Sequence, residues 1–92
     1  MSVESITGVP IPLSVQLARD EEEFAKRNPS LVKPVQHLRK LVSDPQWVKE
    51  HRGLSIVAHE DRIVAQHVGS GKALQLGIEA AGTWNVYLIT IP

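Results

Sequence analysis

The stretch that decides the fold is LSIVAHEDRIVAQHV, Leu54 to Val68. Two runs rich in β-branched residues, Leu54 to His59 and Arg62 to Val68, flank Glu60-Asp61. Such side chains suit a pleated, half-buried surface, so the pattern predicts an antiparallel hairpin. A two- or four-residue turn pairs Ala58 with Ile63 and Ile56 with Ala65. Leu54, Ile56, Ala58, Ile63 and Ala65 then share one face. Ser55, His59, Arg62 and Gln66 take the other, with Val57 and Val64 as its apolar members. A three-residue turn would shift the pairing by one and mix the faces. Glu-Asp lacks the glycine that favours a type I′ turn, so the pattern leaves the turn type open.

Downstream, Gly69-Ser70-Gly71 breaks the strand and offers Ser70 as a helix N-cap. Leu74, Ile78 and Ala81 recur at i, i+4 and i+7, the apolar stripe of a helix from Lys72 to Ala81. Gly77 weakens that helix by about 1 kcal/mol relative to alanine, which close packing against the sheet would explain. Gly82 suits the left-handed position after the last turn. The glycine-rich turn matches neither GxxxxGK[ST] nor GxGxxG and reads as a connector. The last segment, Thr83 to Ile91, is apolar on both sides of a strand. Trp84, Val86 and Leu88 alternate with Tyr87, Ile89 and Ile91 about the backbone. Such a strand is expected either in the middle of a sheet or at a covered edge. A helical connection from the second strand to the third implies that they run parallel, with a right-handed crossover.

Upstream the signals are weaker. Gly8, Pro10 and Pro12 alternate with Val9, Ile11 and Leu13, which predicts an extended arm or edge strand over residues 1–17. Asp20-Glu21-Glu22-Glu23 reads as the capped start of a first helix that Asn28-Pro29 ends. Pro34 suits the first turn of a second helix with Val35, Leu38, Leu41 and Val42 on its buried face. Asp44 then caps a short third helix that holds Trp47 and Val48, and Gly53 closes it. The expectation is one α+β domain over residues 1–92. Short helices occupy 20–52, followed by a ββαβ core over 53–92. Its sheet has three strands, or four if the arm adds one.

The order Trp47-Val48, Gly53, hairpin, Ala80-Ala81-Gly82 and a strand ending Ile91-Pro92 resembles a group of small prokaryotic domains of uncharacterised function. The resemblance covers about half the chain and rests on folding residues. It implies a ββαβ core and carries no catalytic residue to transfer.

Composition narrows the function classes. The chain has no cysteine, which removes disulfides, cysteine zinc sites and thiol catalysis together. An apolar share of 42% belongs to globular rather than disordered chains. No run reaches the length of a membrane span, and no basic-then-apolar leader opens the chain, so a cytoplasmic location is the expectation. Net charge is zero but uneven: residues 1–23 carry −4 and residues 24–52 carry +5. Charged helix surfaces, acidic first helix against basic second, account for this without a ligand. A basic face containing Arg39 and Lys40 is the sharper reading, suited to nucleic acid or an acidic partner. A neutral chain with 4% aromatic residues is a poor nucleic-acid binder. His37, His51, His59 and His67 show neither HxxxH nor HExxH spacing. His59 and His67 are expected at opposite ends of the hairpin and on different faces. No metal, cofactor or catalytic set follows from these residues.

The expected function is therefore a non-enzymatic protein-interaction module, a small regulator, inhibitor or assembly partner. In a small sheet with one covering helix, Tyr87, Ile89 and Ile91 need cover from the helices of residues 20–52, whose best stripe is Val35, Leu38, Leu41 and Val42, or from a partner, most simply a second copy of the chain. Arg39 and Lys40 complete the expected partner-binding set. Two alternatives are a small nuclease toxin of the RelE–ParE kind, whose basic residues converge on the sheet, and a small-molecule binder that uses the sheet face.

Overall fold

The computed structural model describes residues 12–92. Among these residues four α-helices and a three-stranded antiparallel sheet make an α+β fold: α1 (Leu13–Arg27), α2 (Val32–Val42), α3 (Pro45–Glu50), β1 (Ser55–His59), β2 (Arg62–His67), α4 (Ser70–Ala81) and β3 (Tyr87–Thr90), with a single 3-10 turn, Pro29–Leu31, leading into α2. The strand order is β2-β1-β3, with β1 antiparallel to both neighbours. β2 and β3 thus run parallel to one another, as the helical connection implies, but with β1 between them. The central strand is β1, and β3 lies at the edge. Ser55, Ile56, Val57 and Ala58 are all buried. That continuous burial belongs to a strand covered on both faces.

Each face has its own cover. Ile56, Ala58, Ile89 and Ile91 form one buried cluster with Leu17 of α1 and with Val35 and Leu38 of α2. On the other face Val57 meets α4 at Gly77. A Cβ added at Gly77 would stand 2.4 Å from Val57 Cγ1. Only glycine permits that approach, so the expected packing reason for Gly77 is the observed one. Gly82 ends α4 at φ 71° with its amide donating to the Ile78 carbonyl. Ser55, buried at the sheet centre, pairs its hydroxyl with that of Thr90 at 2.9 Å across the β1–β3 ladder.

The hairpin turn is the two-residue Glu60-Asp61, with His59 opposite Arg62 and Ala58 opposite Ile63. Glu60 takes φ 54°, the left-handed conformation that glycine would adopt without strain. Beyond Ile63 the expected register fails. Val57 pairs with Ala65 and Ile56 with Gln66, because Val64 is an extra residue bulged out of β2. The bulge moves Ala65 to the α4 side, opposite Val57. It also puts His67 opposite Ser55, on the face that His59 shares by alternation, and not on the other face as the unbulged register implies.

Upstream the structure corrects two expectations. The first helix starts at Leu13, so residues 13–17 are helix and not arm; the arm expected over residues 1–11 lies outside the described residues. Leu13, Leu17 and Phe24 are its inward residues, and the acidic run occupies mid-helix positions without capping anything. Asp20 is drawn instead to the sheet, where its carboxylate accepts from the Tyr87 hydroxyl. The α3 cap is as expected: Asp44 accepts from the Gln46 amide at 3.0 Å, with Pro45 at the first position. At α4 the residue flanking the helix is Gly69, and Ser70 makes no capping bond.

Candidate docking face

The α4 stripe sorts itself by size. Ala73 and Gly77 face the sheet, because β1 and β2 lie too close for longer side chains. Leu74, expected inside, is therefore turned outward and is 38% exposed, with Ile78 half-buried beside it. After Gly82 the chain does not enter a strand at once. Thr83, Trp84 and Asn85 form a turn in which the Asn85 amide donates to the Thr83 hydroxyl, and β3 begins only at Tyr87. Trp84 is consequently not a core residue: 82% of its surface is exposed. It stands beside α4 and completes a mainly apolar groove of about 360 Å³ with Gly71, Leu74, Gln75, Ile78 and Glu79.

The residues expected to bind a partner lie elsewhere and apart. Ile89 and Ile91 are 4% and 1% exposed, sealed against α1 and α2, so neither reaches a partner. Tyr87 is half-buried, edge-on to Phe24 with ring centroids 5.6 Å apart. Burial, then the hydrogen bond to Asp20, pushes its hydroxyl above the ordinary tyrosine range. The physical reason for the correction is that α1, longer than the sequence suggested, covers the face that was left bare. Arg39 is tied to Glu21 at 2.5 Å, and Gln36 donates to the same carboxylate at 3.0 Å. These two bonds, Gln36 first, hold the Glu21 acid below its usual range. Lys40 remains exposed at a shallow cleft with Glu21, Gln36, Arg39 and Ser43. The acidic α1 and basic α2 thus neutralise one another where they meet.

Three of the four histidines serve local structure. His51 points Nδ1 at the Trp47 carbonyl, 2.6 Å away, and stacks on the Trp47 ring. His59 Nδ1 lies 2.9 Å from the Asn85 carbonyl, and His67 Nδ1 accepts from the Gly69 amide at 3.0 Å. Among the described residues no three histidine, aspartate or glutamate side chains gather as metal ligands would. No described helix is long and apolar enough to cross a membrane. The groove itself contains a single ionisable group, Glu79, and no nucleophile. Its chemistry is that of contact: an aromatic ring, two aliphatic side chains and a polar rim. No protein-family model, curated protein or solved structure matches the chain.

The sequence did carry a signal for this face. Ala73 and Gly77 sit four apart, and two such small residues mark the side of a helix in closest contact. Leu74 and Ile78 follow each of them by one position, about 100° around the helix, and so are turned away from it. For Trp84 the cue was Asn85, a turn former set inside an otherwise apolar run.

Proposed function

We propose that this chain is a non-enzymatic protein-interaction module that docks a protein partner through the outer face of α4 and Trp84. The observation that carries this reading is the 82% exposure of Trp84 beside Leu74 and Ile78. Tryptophan is among the residues most enriched where interface energy concentrates, because one side chain buries a large apolar area at low entropic cost. An exposed tryptophan beside an aliphatic groove with a polar rim has the composition of an interface centre. The two alternatives draw no such support. Helices cover both faces of the sheet at its central strand, and Arg39 is engaged by Glu21.

The test is site-specific photo-crosslinking in cells of the source organism. A benzophenone amino acid is placed at position 84 and, as control, at the exposed position 66 on β2. Discrete protein adducts from position 84 that are absent from position 66 are the expected result. Equal labelling from both positions, or none from position 84, would overturn the reading.

A further inference from the structure

We infer that the partner is a second copy of this chain, bound by antiparallel pairing of α4 with α4 across a two-fold axis. The inference rests on the docking reading and adds the occupant and the register. It starts from the arrangement of charge on the exposed side of α4. Lys72 and Glu79, both exposed, are seven residues apart, so they fall within roughly 20° of one line along the helix. Leu74 and Ile78 form the opposite flank, and Gly71 and Gln75 lie between the two. The face therefore has a charged edge of mixed sign, an apolar edge and a small or polar centre.

A two-fold axis that relates antiparallel helices brings like flanks together, charged edge to charged edge and apolar edge to apolar edge. Lys72 meets the other copy's residue 79 when the axis crosses α4 midway between the two, at 75.5 in residue number. Leu74 meets the other copy's residue 78 when the axis crosses at 76. At 1.5 Å per residue the two requirements differ by only about 0.75 Å. One register thus satisfies both, forming two Lys72–Glu79 pairs and two Leu74–Ile78 contacts. Gln75 falls at the axis, where two carboxamides can donate to and accept from each other. Gly71 leaves room for close approach. Trp84, on the apolar flank, is carried against the other copy's apolar flank. A parallel pairing about a two-fold axis would set the charged edge of one copy against the apolar edge of the other, and neither the Lys72–Glu79 pairs nor the Leu74–Ile78 contacts would form. Charge complementarity therefore selects both the occupant and its direction. The rest of the chain is not disturbed, because the inward residues of α4, Ala73 and Gly77, are already used by the sheet.

Sedimentation equilibrium of the purified full chain tests this. The expected result is a concentration-dependent monomer–dimer equilibrium. Trp84→Ala weakens it at least about thirtyfold, as loss of an aromatic buried in an interface does. Lys72→Glu and Glu79→Lys each weaken it roughly tenfold through two lost and two repulsive pairs. The double variant Lys72→Glu/Glu79→Lys restores the parent affinity, because the pairs re-form with their signs exchanged. All of these positions are exposed, and unchanged melting curves confirm that each variant is folded. A chain that stays monomeric up to millimolar concentration overturns the inference, as does a dimer indifferent to the charge reversals or a double variant that fails to recover. A monomer whose position 84 still crosslinks to a different protein in cells leaves the docking reading standing and removes only the second copy.

Discussion

Gly77 and Trp84 show how little residue type alone says about burial. Gly77 is the residue the fold can least change. Alanine there gains about 1 kcal/mol of helix propensity but sets a methyl group against Val57 at less than van der Waals distance. Overpacking of this kind costs about 1–3 kcal/mol, so Gly77→Ala should be net destabilising by roughly 1 kcal/mol in urea titration. Val57→Ala in the same chain should remove most of the added penalty. Trp84, the larger residue by far, should be nearly neutral: Trp84→Ala is expected to shift stability by no more than about 0.5 kcal/mol, the range of exposed sites, measured on the monomer. Tyr87 adds a pH signature. Its folded-state proton affinity is raised by burial and by Asp20. The corresponding stability is present below the ordinary tyrosine value of about 10 and is lost as pH rises beyond it. Tyr87→Phe should flatten the alkaline limb of the stability–pH curve, which a series of urea midpoints at rising pH reads directly.

At the scale of elements, α1 gives the clearest test. The prolines and the acidic run made residues 13–17 look like extended chain, yet Leu17 is fully buried against α2 and the sheet. Leu17→Ala should cost about 2–5 kcal/mol, as core leucine truncations do, where an arm residue would cost almost nothing. Chemical denaturation decides between the two. Two of the interactions that join α1 to its neighbours are polar: Glu21 with Arg39 and Gln36, and Asp20 with Tyr87. Patterning by hydrophobicity does not register such bonds. The β2 bulge is a second case. Alternation in RIVAQHV predicts a regular ladder, and the sheet relieves the conflict by extruding Val64, which brings Ala65 and not a larger residue under α4.

For the whole molecule, the decisive fact is that one chain covers both faces of its sheet. Were Ile89 an interface residue, Ile89→Glu would convert a dimer into a folded monomer. With Ile89 sealed among Leu17, Val35 and Leu38, the same change buries an unpaired carboxylate and should leave the chain largely unfolded. Burying a charge without a partner costs several kcal/mol, a large share of the stability of a domain this small. Circular dichroism in the far and near ultraviolet separates the outcomes: loss of both signals is expected, and a native spectrum at half the mass would refute the core assignment. Ile89 is therefore closed to a partner, and the proposed self-association rests on the α4 face.

The α+β class, the hairpin with an even-numbered turn, the buried face of α2 and the caps of α3 and α4 at Asp44 and Gly82 were legible in the sequence. Each depends on residues within a few positions of one another: periodicity, turn chemistry and the conformational freedom of glycine. The strand order, the bulge, the true start of α1 and the exposure of Trp84 were decided by tertiary structure. Those depend on which surfaces meet. β1 became central because α1 and α2 could cover one of its faces while α4 approached the other through Gly77. Once α4 lay that close, Leu74 and Trp84 had no room inside. The candidate docking face is thus a consequence of packing at Val57 and Gly77 that no local pattern around Trp84 contains.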